Sequence, residues 1–450
     1  MLNGGPTAMD KVLIANRGAV ARRVVRACNE LGLKSVVVFS EADSDAPYLS
    51  EASEAYPLIG TAAAATYLDQ TQILSVLQQT GADALHPGYG FLAENAEFAR
   101  AVAQHGGQFI GPDEKWLSLM GDKVSARQIM AEQGFPIFPG SELLQDPEEA
   151  IAQAHEIGYP VLVKPSGGGG GLGMERVANE EELLNAVGRS RAIASRAFAA
   201  SGVYLERCIE NPRHIEFQIM ASEQGEAVHV YERECSVQRR NQKLIEESPA
   251  PGVDAALMRE QAELAALVCN RLGYNNLGTI ETLLTPTGEL GFLEMNTRLQ
   301  VEHGVTEEVT GLDLVQTQIK LSAGEALPQV PESVGHAIEA RIYAENAETL
   351  LPSTGRLSVY RPPRMFGVRI ESGYQEGQLV TPYYDAMLAK VIARADTREL
   401  AIGRLANALK GFEIRGVDTN QPLLLKILGD AEFIAGNVDT GIVDRLLNRK

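Results

Sequence analysis

The sequence lacks a long apolar segment, has few cysteines and carries too few basic residues to balance its acids. No apolar run in its 450 residues reaches the length of about 18 residues that a membrane-spanning helix needs. The four cysteines show no CxxC spacing, so we predict neither a disulfide framework nor a zinc site and expect a reducing cytoplasm. The net charge of −19 disfavours a nucleic-acid partner, because phosphate backbones require a basic surface.

The composition is otherwise that of a globular protein with several domains. Hydrophobic residues make up 45% of the chain, enough for sizeable cores, and its length corresponds to about three domains of roughly 150 residues. Residues 1–8 have no basic stretch followed by an apolar one, so we expect a short disordered leader rather than a secretory signal.

Residues 11–110 alternate short apolar runs with amphipathic segments. Strands are predicted at residues 11–16, 35–39, 82–85 and 109–110, with helices between them. This alternation predicts a parallel sheet covered on both faces.

A second unit begins near Lys123. It is predicted to contain a small module, with strands at 161–164, 174–177 and 203–207 and a helix at 180–198, and then antiparallel strands at 214–220, 227–232, 277–284 and 290–296. Pro328 and Pro331 mark a further boundary, after which short strands accompany a helix at 399–409. The chain therefore combines α/β and α+β patterns.

A glycine-rich loop lies between two strands of the small module. Residues 167–171 are all glycine, and a short strand follows instead of a helix, which is the wrong context for a dinucleotide fold. The chain contains no GxxxxGK(S/T) motif, so a P-loop is excluded. Backbone N–H groups of such a loop can close over phosphates, and Lys164 at the preceding strand end favours this role over a floppy linker.

Two glutamates are predicted to face each other across a hairpin. Glu281 and Glu294 lie at nearly equal distances from a turn at residues 285–288. Like charges in this arrangement are destabilising unless something compensates them, and Mg²⁺ prefers carboxylate and phosphate oxygens. Exposure of one glutamate to solvent, or neutralisation by lysine or arginine, is the alternative.

Residues 294–302 alternate between polar and apolar side chains. If the segment is extended throughout, Glu294, Asn296, Arg298, Gln300 and Glu302 share one face. A solvated edge strand would explain the alternation, but the mixture of acid, amide and guanidinium beside a metal pair favours a site for a small oxyanion. Arg298 would hold the anion and Glu302 would take its proton.

The densest basic segment of this acidic chain spans residues 235–243. We expect a solvated loop here, which ion pairs to the following Glu246 and Glu247 could hold in place. Lys243 at its end is a candidate anion ligand.

Together with further motifs, these segments resemble the biotin carboxylase family from about residue 9 to 450. The matching motifs are IANRG at 14–18, HPGYGFL at 86–92, MGDK at 120–123, the glycine loop, NPRH at 211–214, QRR at 238–240 and EMNTRLQVEH at 294–303. The resemblance implies an N-terminal Rossmann-like pre-ATP-grasp domain at 9–122, an ATP-grasp domain at 123–327 with a mobile lid at about 138–208, and a C-terminal biotin carboxylase domain at 335–450.

The resemblance also implies what each site residue binds. The expected ATP ligands are Lys123, Lys164, Gly168, Gly169, Gly170, Gly171, Glu206, Ile209, His214, Gln238, Asn241, Glu281 and Glu294. The expected ligands of Mg²⁺, for which Mn²⁺ is an alternative, are Glu281, Glu294 and Asn296. The expected bicarbonate ligands are Lys243, Arg298, Gln300 and the backbone of Val301. Glu302 resembles the general base, and Arg341 resembles the arginine that stabilises the biotin enolate.

The implied reaction is phosphoryl transfer from ATP to bicarbonate, giving carboxyphosphate, followed by carboxylation of biotin. Matches to the family's dimer contacts imply a homodimer through Arg23, Arg26, Glu30, Phe366 and Arg369. Because the chain has no Ala-Met-Lys-Met biotinylation motif and no carboxyltransferase region follows, we expect biotin on a separate biotin carboxyl carrier protein and a partner carboxyltransferase.

Two positions depart from the family's commonest pattern. Asn241 stands where histidine usually follows the two arginines, and Leu172 stands where a basic residue often ends the glycine loop. Asparagine donates a hydrogen bond but carries no charge, which would lower the affinity for ATP. These features resemble urea or guanidine carboxylases, whereas the C-terminal region resembles the acyl-CoA type.

Two further alternatives are an ATP-grasp ligase acting on an amine and a degenerate ATP-binding regulatory subunit. Arg341 and Glu302 argue against the first, and the nearly complete set of catalytic positions argues against the second.

Overall fold

A computed structural model describes residues 9–167, 171–197 and 202–448 of the chain. The two largest sheets in this part of the chain have five and eight strands. Across these residues, no helix combines the length and the apolar character needed to cross a bilayer.

The first region is a parallel sheet with helices on both faces. Its elements are β1 (Lys11–Ile14), α1 (Gly18–Glu30), β2 (Lys34–Phe39), α2 (Tyr48–Glu51), β3 (Glu54–Pro57), α3 (Gln70–Thr80), β4 (Ala84–His86), α4 (Ala96–Gln104), β5 (Gln108–Phe109) and α5 (Glu114–Gly121). The strand order is β3-β2-β1-β4-β5, with parallel pairing throughout. Val12 and Ile14 enter one core and Leu13 the other, as alternation along a strand requires, so the predicted sheet with two covered faces is confirmed.

The second region joins a small antiparallel module to long strands. Its elements are α6 (Lys123–Glu132), α7 (Pro147–Ile157), β6 (Val161–Pro165), β7 (Glu175–Val177), α8 (Glu180–Ala197), β8 (Val203–Arg207), β9 (Arg213–Ala221), β10 (Ala227–Arg239), β11 (Gln242–Ser248), α9 (Ala255–Leu272), β12 (Asn276–Leu284), β13 (Leu290–Asn296), α10 (His303–Thr310) and α11 (Leu314–Ser322). Strands β7, β6 and β8 form the module's own sheet, on which α7 and α8 pack.

The third region completes the eight-stranded sheet and covers it. Its elements are β14 (His336–Tyr343), β15 (Gly355–Arg356), β16 (Val359–Arg361), β17 (Val368–Ser372), β18 (Leu379–Val380), β19 (Met387–Ala395), α12 (Arg398–Gly411), β20 (Glu413–Arg415), α13 (Gln421–Leu428), α14 (Ala431–Ile434) and α15 (Ile442–Asn448).

One sheet runs through the second and third regions. Its order is β13-β12-β9-β10-β11-β14-β19-β17, so β11 pairs with β14 and places Glu246 opposite Glu339. The predicted domain boundary between 327 and 335 therefore divides the sequence without dividing the sheet. This continuity brings residues of both regions to one site, whereas the domain limits themselves stay predictions.

The prediction of a solvated loop at residues 235–243 is wrong. Strand β10 continues to Arg239 and β11 begins at Gln242, so only Arg240 and Asn241 form the turn, with φ of 49° and 64°. Arg239 is buried because Glu345, far along the chain, pairs with it at 2.8 Å. A carboxylate that is distant in sequence thus neutralises a charge that the sequence pattern predicted to be exposed to solvent.

The prediction that residues 294–302 are extended throughout is also wrong. Strand β13 ends at Asn296, and helix α10 begins at His303. The intervening loop is tied down by Glu94, which accepts hydrogen bonds from the Thr297 N–H at 3.1 Å and from Arg298 Nε at 2.8 Å. This tertiary contact replaces the ladder hydrogen bonds that an extended segment would need.

Candidate active site

Three carboxylates lie side by side on adjacent strands of the eight-stranded sheet. Glu281 on β12 pairs in register with Glu294 on β13 and with Glu216 on β9. The predicted cross-strand placement of Glu281 and Glu294 is therefore what the structure has, and a third acid joins them. Such a row needs compensation by cations, because like charges directly opposite each other repel.

Lys243 is the central cation of the site. Its Nζ lies 2.7 Å from Glu216 Oε2, 3.0 Å from Glu281 Oε1 and 2.5 Å from Glu302 Oε1. Burial opposes the charged form of Lys243, but the acidic groups around it raise its pKa well above the ordinary value. The ammonium therefore stays charged and links the carboxylate row to Glu302.

Two further side chains contact carboxylates of the row. His214 Nε2 lies 3.0 Å from Glu281 Oε2, and Lys123 pairs with Glu294. Burial favours protonation of both glutamates, but Lys243 and His214 hold the pKa of Glu281 well below its usual range, and Lys123 lowers that of Glu294. Both acids are thus anionic and can accept a divalent cation.

Lys164 and Glu206 form a buried pair beside this row. Lys164 Nζ lies 2.5 Å from Glu206 Oε2, and Arg127 binds the other oxygen of the same carboxylate. The side chain of Glu206 is therefore engaged in ion pairs on both of its oxygens.

Arg298 lies in the loop after β13 and reaches several site residues. Its NH1 is 2.8 Å from Gln300 Oε1, and its NH2 is 2.6 Å from Asn296 Oδ1. Gln300 in turn donates from Nε2 to Glu281 Oε1 at 2.8 Å. The polar side chains of residues 294–302 thus converge even though the segment is not a strand.

Glu302 and Arg341 meet at the edge of the second and third regions. Arg341 NH2 lies 2.9 Å from Glu302 Oε2 and also pairs with Glu246. Burial alone would raise the pKa of Glu302, but Lys243 and Arg341 hold it well below its usual range. Burial raises the pKa of Glu246 to about 8, despite the opposing effect of Arg341.

These groups surround a single cavity of about 880 Å³. The predicted site residues that line it are Lys123, Lys164, Gly171, Glu206, Ile209, His214, Gln238, Asn241, Lys243, Glu281, Glu294, Asn296, Arg298, Gln300, Val301, Glu302 and Arg341. The predicted ATP ligands Gly168, Gly169 and Gly170 lie outside the described residues.

The predicted dimer residues lie away from this cavity: Arg23, Arg26, Glu30, Phe366 and Arg369. The ring of Phe366 is 93% exposed, and Arg26 and Glu30 are exposed as well. Arg23 differs, because its side chain is buried and lies 3.0 Å from Glu307. Its ion pairs are made within the chain.

Sequence reasoning missed several carboxylates of the site. Glu216 could have been found, since it lies two residues after His214 on the same strand and so shares its face. Glu94 gave no signal. Glu246 and Glu247 do not hold the basic segment as expected: Glu246 pairs with Arg341, and Glu247 pairs with Arg398 at 2.7 Å.

The oxygen atoms of the site suit a hard divalent cation. Glu281 and Glu294 supply anionic oxygens from adjacent strands, and the carboxamide of Asn296, buried at the end of β13, supplies a neutral one. The buried Asn296 Nδ2 has no hydrogen-bond partner among the described residues. The residues present therefore fit Mg²⁺ or Mn²⁺.

Models of known protein families match almost the whole chain. Residues 8–117 match the model for the biotin carboxylase N-terminal domain, residues 122–330 that for the carbamoyl-phosphate synthase L chain ATP-binding domain, and residues 339–445 that for the biotin carboxylase C-terminal domain. The biotin carboxylase of Halalkalibacterium halodurans is 47% identical over 444 residues, 98% of each chain. The 2-oxoglutarate carboxylase small subunit of Hydrogenobacter thermophilus is 44% identical over 96% of this chain and 92% of its own.

Solved structures agree with these matches. The biotin carboxylase domain dimer of the Hydrogenobacter thermophilus 2-oxoglutarate carboxylase, in complex with MgADP, ADP and bicarbonate, has a TM-score of 0.95 at 42% identity and covers 98% of this chain and 99% of its own. The biotin carboxylase–β,γ-ATP complex from Campylobacter jejuni also has a TM-score of 0.95, at 41% identity, over 97% and 99% of the two chains. The expected α/β and α+β fold with an ATP-grasp region is confirmed, and the chain belongs to the biotin carboxylase family.

Proposed function

We propose that this chain is the biotin carboxylase component of a biotin-dependent carboxylase, and that its cavity uses ATP to carboxylate biotin with bicarbonate. The observation that carries the proposal is the junction at Lys243, whose ammonium contacts both Glu281 of the carboxylate row and Glu302 beside Arg341. A nucleotide–metal site and an oxyanion site thus share one cation.

The nucleotide side lies along Lys123, Lys164 and His214, with Gln238 and Asn241 on the facing hairpin. The glycine loop would close over the phosphates through its backbone N–H groups. Glu281, Glu294 and Asn296 would hold Mg²⁺, which when bound neutralises charge on the phosphates. Positioning and charge neutralisation then account for most of the phosphoryl transfer.

The oxyanion side is assigned to Lys243, Arg298, Gln300 and the backbone of Val301. Their cationic groups are engaged with carboxylates, so bicarbonate enters by competing with Glu94 for Arg298 and with Glu302 for Lys243. Once Lys243 turns to the anion, Glu302 loses its strongest cationic neighbour and its basicity rises. Glu302 is then suited to take the bicarbonate proton while the bicarbonate oxygen attacks the γ-phosphorus and ADP leaves.

Arg341 is assigned to the second half of the reaction. Carboxyphosphate releases CO₂, and the remaining phosphate takes the ureido proton of biotin. The guanidinium of Arg341, anchored by Glu246 and 2.9 Å from Glu302, would stabilise the resulting enolate oxygen before its nitrogen attacks CO₂.

The partners of the chain belong to the same proposal. We assign the biotin to a separate biotin carboxyl carrier protein in the cytoplasm, and the onward transfer to an acyl-CoA-type carboxyltransferase, with a urea- or guanidine-type carboxylase as the alternative suggested by Asn241 and Leu172. A homodimer would form through the surface that carries Phe366, Arg26 and Glu30.

The test is ATP hydrolysis by the purified chain with bicarbonate, measured with and without free biotin. Bicarbonate-dependent turnover that biotin stimulates supports the proposal. Turnover only with an added amine indicates another ATP-grasp ligase, and ATP binding without turnover indicates a regulatory subunit; either result contradicts the proposal.

A further inference from the structure

Two consecutive backbone carbonyls of the oxyanion site accept hydrogen bonds from buried side chains that do not line the cavity. His303 Nδ1 lies 2.7 Å from the carbonyl oxygen of Gln300, and Lys390 Nζ lies 2.5 Å from that of Val301. Burial, reinforced by Lys390 and Arg23, lowers the pKa of His303 to about 3. The ring is therefore neutral, and because a carbonyl only accepts, its proton is on Nδ1.

Lys390 comes from a distant part of the chain and is itself inaccessible. It lies on β19, between β14 and β17, and its side chain is 1% exposed. Its Nζ is 2.8 Å from Glu371 Oε2, 3.4 Å from Glu339 Oε2 and 2.5 Å from the Val301 carbonyl. The contacts with Glu339 and the Val301 carbonyl are hydrogen bonds, and the contact with Glu371 is an ion pair.

The first turn of α10 packs tightly against the strand that carries Lys390. A Cβ atom at Gly304 would collide with the side chain of Ile392 on β19 and would lie 3.3 Å from Glu339 Oε2. Any other residue at this position would therefore require the end of the Ile392 side chain to move. This packing fixes the separation between Lys390 and the turn at Val301.

We propose that Lys390 is a positioning residue of the bicarbonate site. By holding the Val301 carbonyl it fixes the planar peptide between Val301 and Glu302, and with it both the backbone that faces the anion and the base. Among the described residues, Lys390 does not line the cavity, so it acts through this peptide and not by touching substrate. The inference rests on the proposed function, because it assumes that bicarbonate binds at Val301.

The test is the steady-state kinetics of Lys390→Met, which keeps the length of the side chain and removes its donors. The KM for bicarbonate should rise by about tenfold, because small misplacements of reacting groups are costly, while the KM for ATP stays within about twofold. Lys426→Met is the matched control, since Lys426 also donates to a backbone carbonyl, that of Leu446 at 3.0 Å, but far from the cavity. Its bicarbonate KM should equal that of the wild type.

A second variant guards against a folding defect. Lys390→Met/Glu339→Gln removes a positive and a negative group together, and it should show the same rise in bicarbonate KM. Biotin-stimulated turnover in the wild type with an unchanged bicarbonate KM in either folded variant overturns the role of Lys390 alone. Failure of both variants to fold also overturns it, because Lys390 is then a structural residue, whereas an inactive wild type contradicts the proposed function itself.

Discussion

Two buried charge clusters lie close together in this protein and differ in their access to solvent. The cavity cluster consists of Glu216, Lys243, Glu281, Glu302 and Arg341. The closed cluster consists of Arg23, Glu307, Arg369, Glu371 and Lys390. Both are built from buried acids and cations at ion-pair distances, so neither burial nor pairing distinguishes them.

The cavity makes the difference between the two clusters. All members of the cavity cluster except Glu216 line the 880 Å³ cavity, whereas within the described residues no member of the closed cluster does. Cations that face the cavity can exchange a carboxylate for water or an incoming anion, whereas Arg23 and Lys390, whose side chains are 1% exposed, cannot. Buried ion pairs therefore indicate a reactive site only where a ligand can compete for them.

The largest effect on activity is expected from Glu302→Gln in the cavity cluster. It should reduce bicarbonate-dependent turnover by about 10²–10⁴-fold, because the base is lost, while ATP binding measured by calorimetry stays nearly unchanged. Glu325→Gln, at an exposed position, is the matched control and should retain full turnover. Equal loss of ATP binding and turnover in Glu302→Gln would contradict its role as the base.

Glu371→Gln should have its main effect on stability. The change leaves Lys390, Arg369 and Arg23 with fewer anionic partners around a carboxylate that is 3% exposed, at a cost of about 3–5 kcal/mol in the free energy of unfolding. Thermal unfolding followed by circular dichroism measures it, with the exposed Glu376→Gln as control. If the thermal unfolding midpoint of Glu371→Gln is no lower than that of Glu302→Gln, the two clusters do not differ in their contribution to stability.

The closed environment should also make stability depend on pH through His303. Burial lowers the pKa of His303 to about 3 in the folded chain, whereas the unfolded chain has a value near about 6.5. Below pH about 6.5 only the unfolded chain takes up this proton, so about 2 kcal/mol of stability is lost between pH 6.5 and 5. In thermal unfolding at several pH values, His303→Gln should reduce this loss of stability, whereas the exposed His105→Gln should not. The same pH dependence of the unfolding midpoint in both variants would be evidence against a role of His303.

The smallest effect is expected at the rim of the cavity, at Asn241. Its positive φ of 64° is tolerated by histidine as well as asparagine, so Asn241→His should fold normally. A side chain that can carry charge next to the phosphates should lower the KM for ATP by about threefold at pH 6.5, and Asn241→Ala should raise it. Equal KM values in all three proteins would show that Asn241 does not contact the nucleotide.

The hairpin that carries Glu281 and Glu294 could be predicted from local sequence, but its exact register could not. A turn signal between two alternating strands sets the register up to Thr282, which pairs with Phe292. A bulge between Glu281 and Thr282, which the sequence did not predict, then makes Glu294 the partner of Glu281. The role of Arg298 and Glu302 was inferred from an extended segment that the structure does not contain. Their convergence depends on Glu94, which lies about 200 residues away in sequence and left no local signal.

The sequence by itself determined the parallel sheet, the position of the glycine loop and the hairpin that carries Glu281 and Glu294, because periodicity and turn chemistry act between residues that are near in sequence. Only the tertiary structure decided that residues 235–243 form a buried hairpin and that Lys243 joins three carboxylates 27, 38 and 59 residues away. The physical reason is that the stability of a buried charge depends on its partners in space, and these partners come from strands whose order no local pattern specifies.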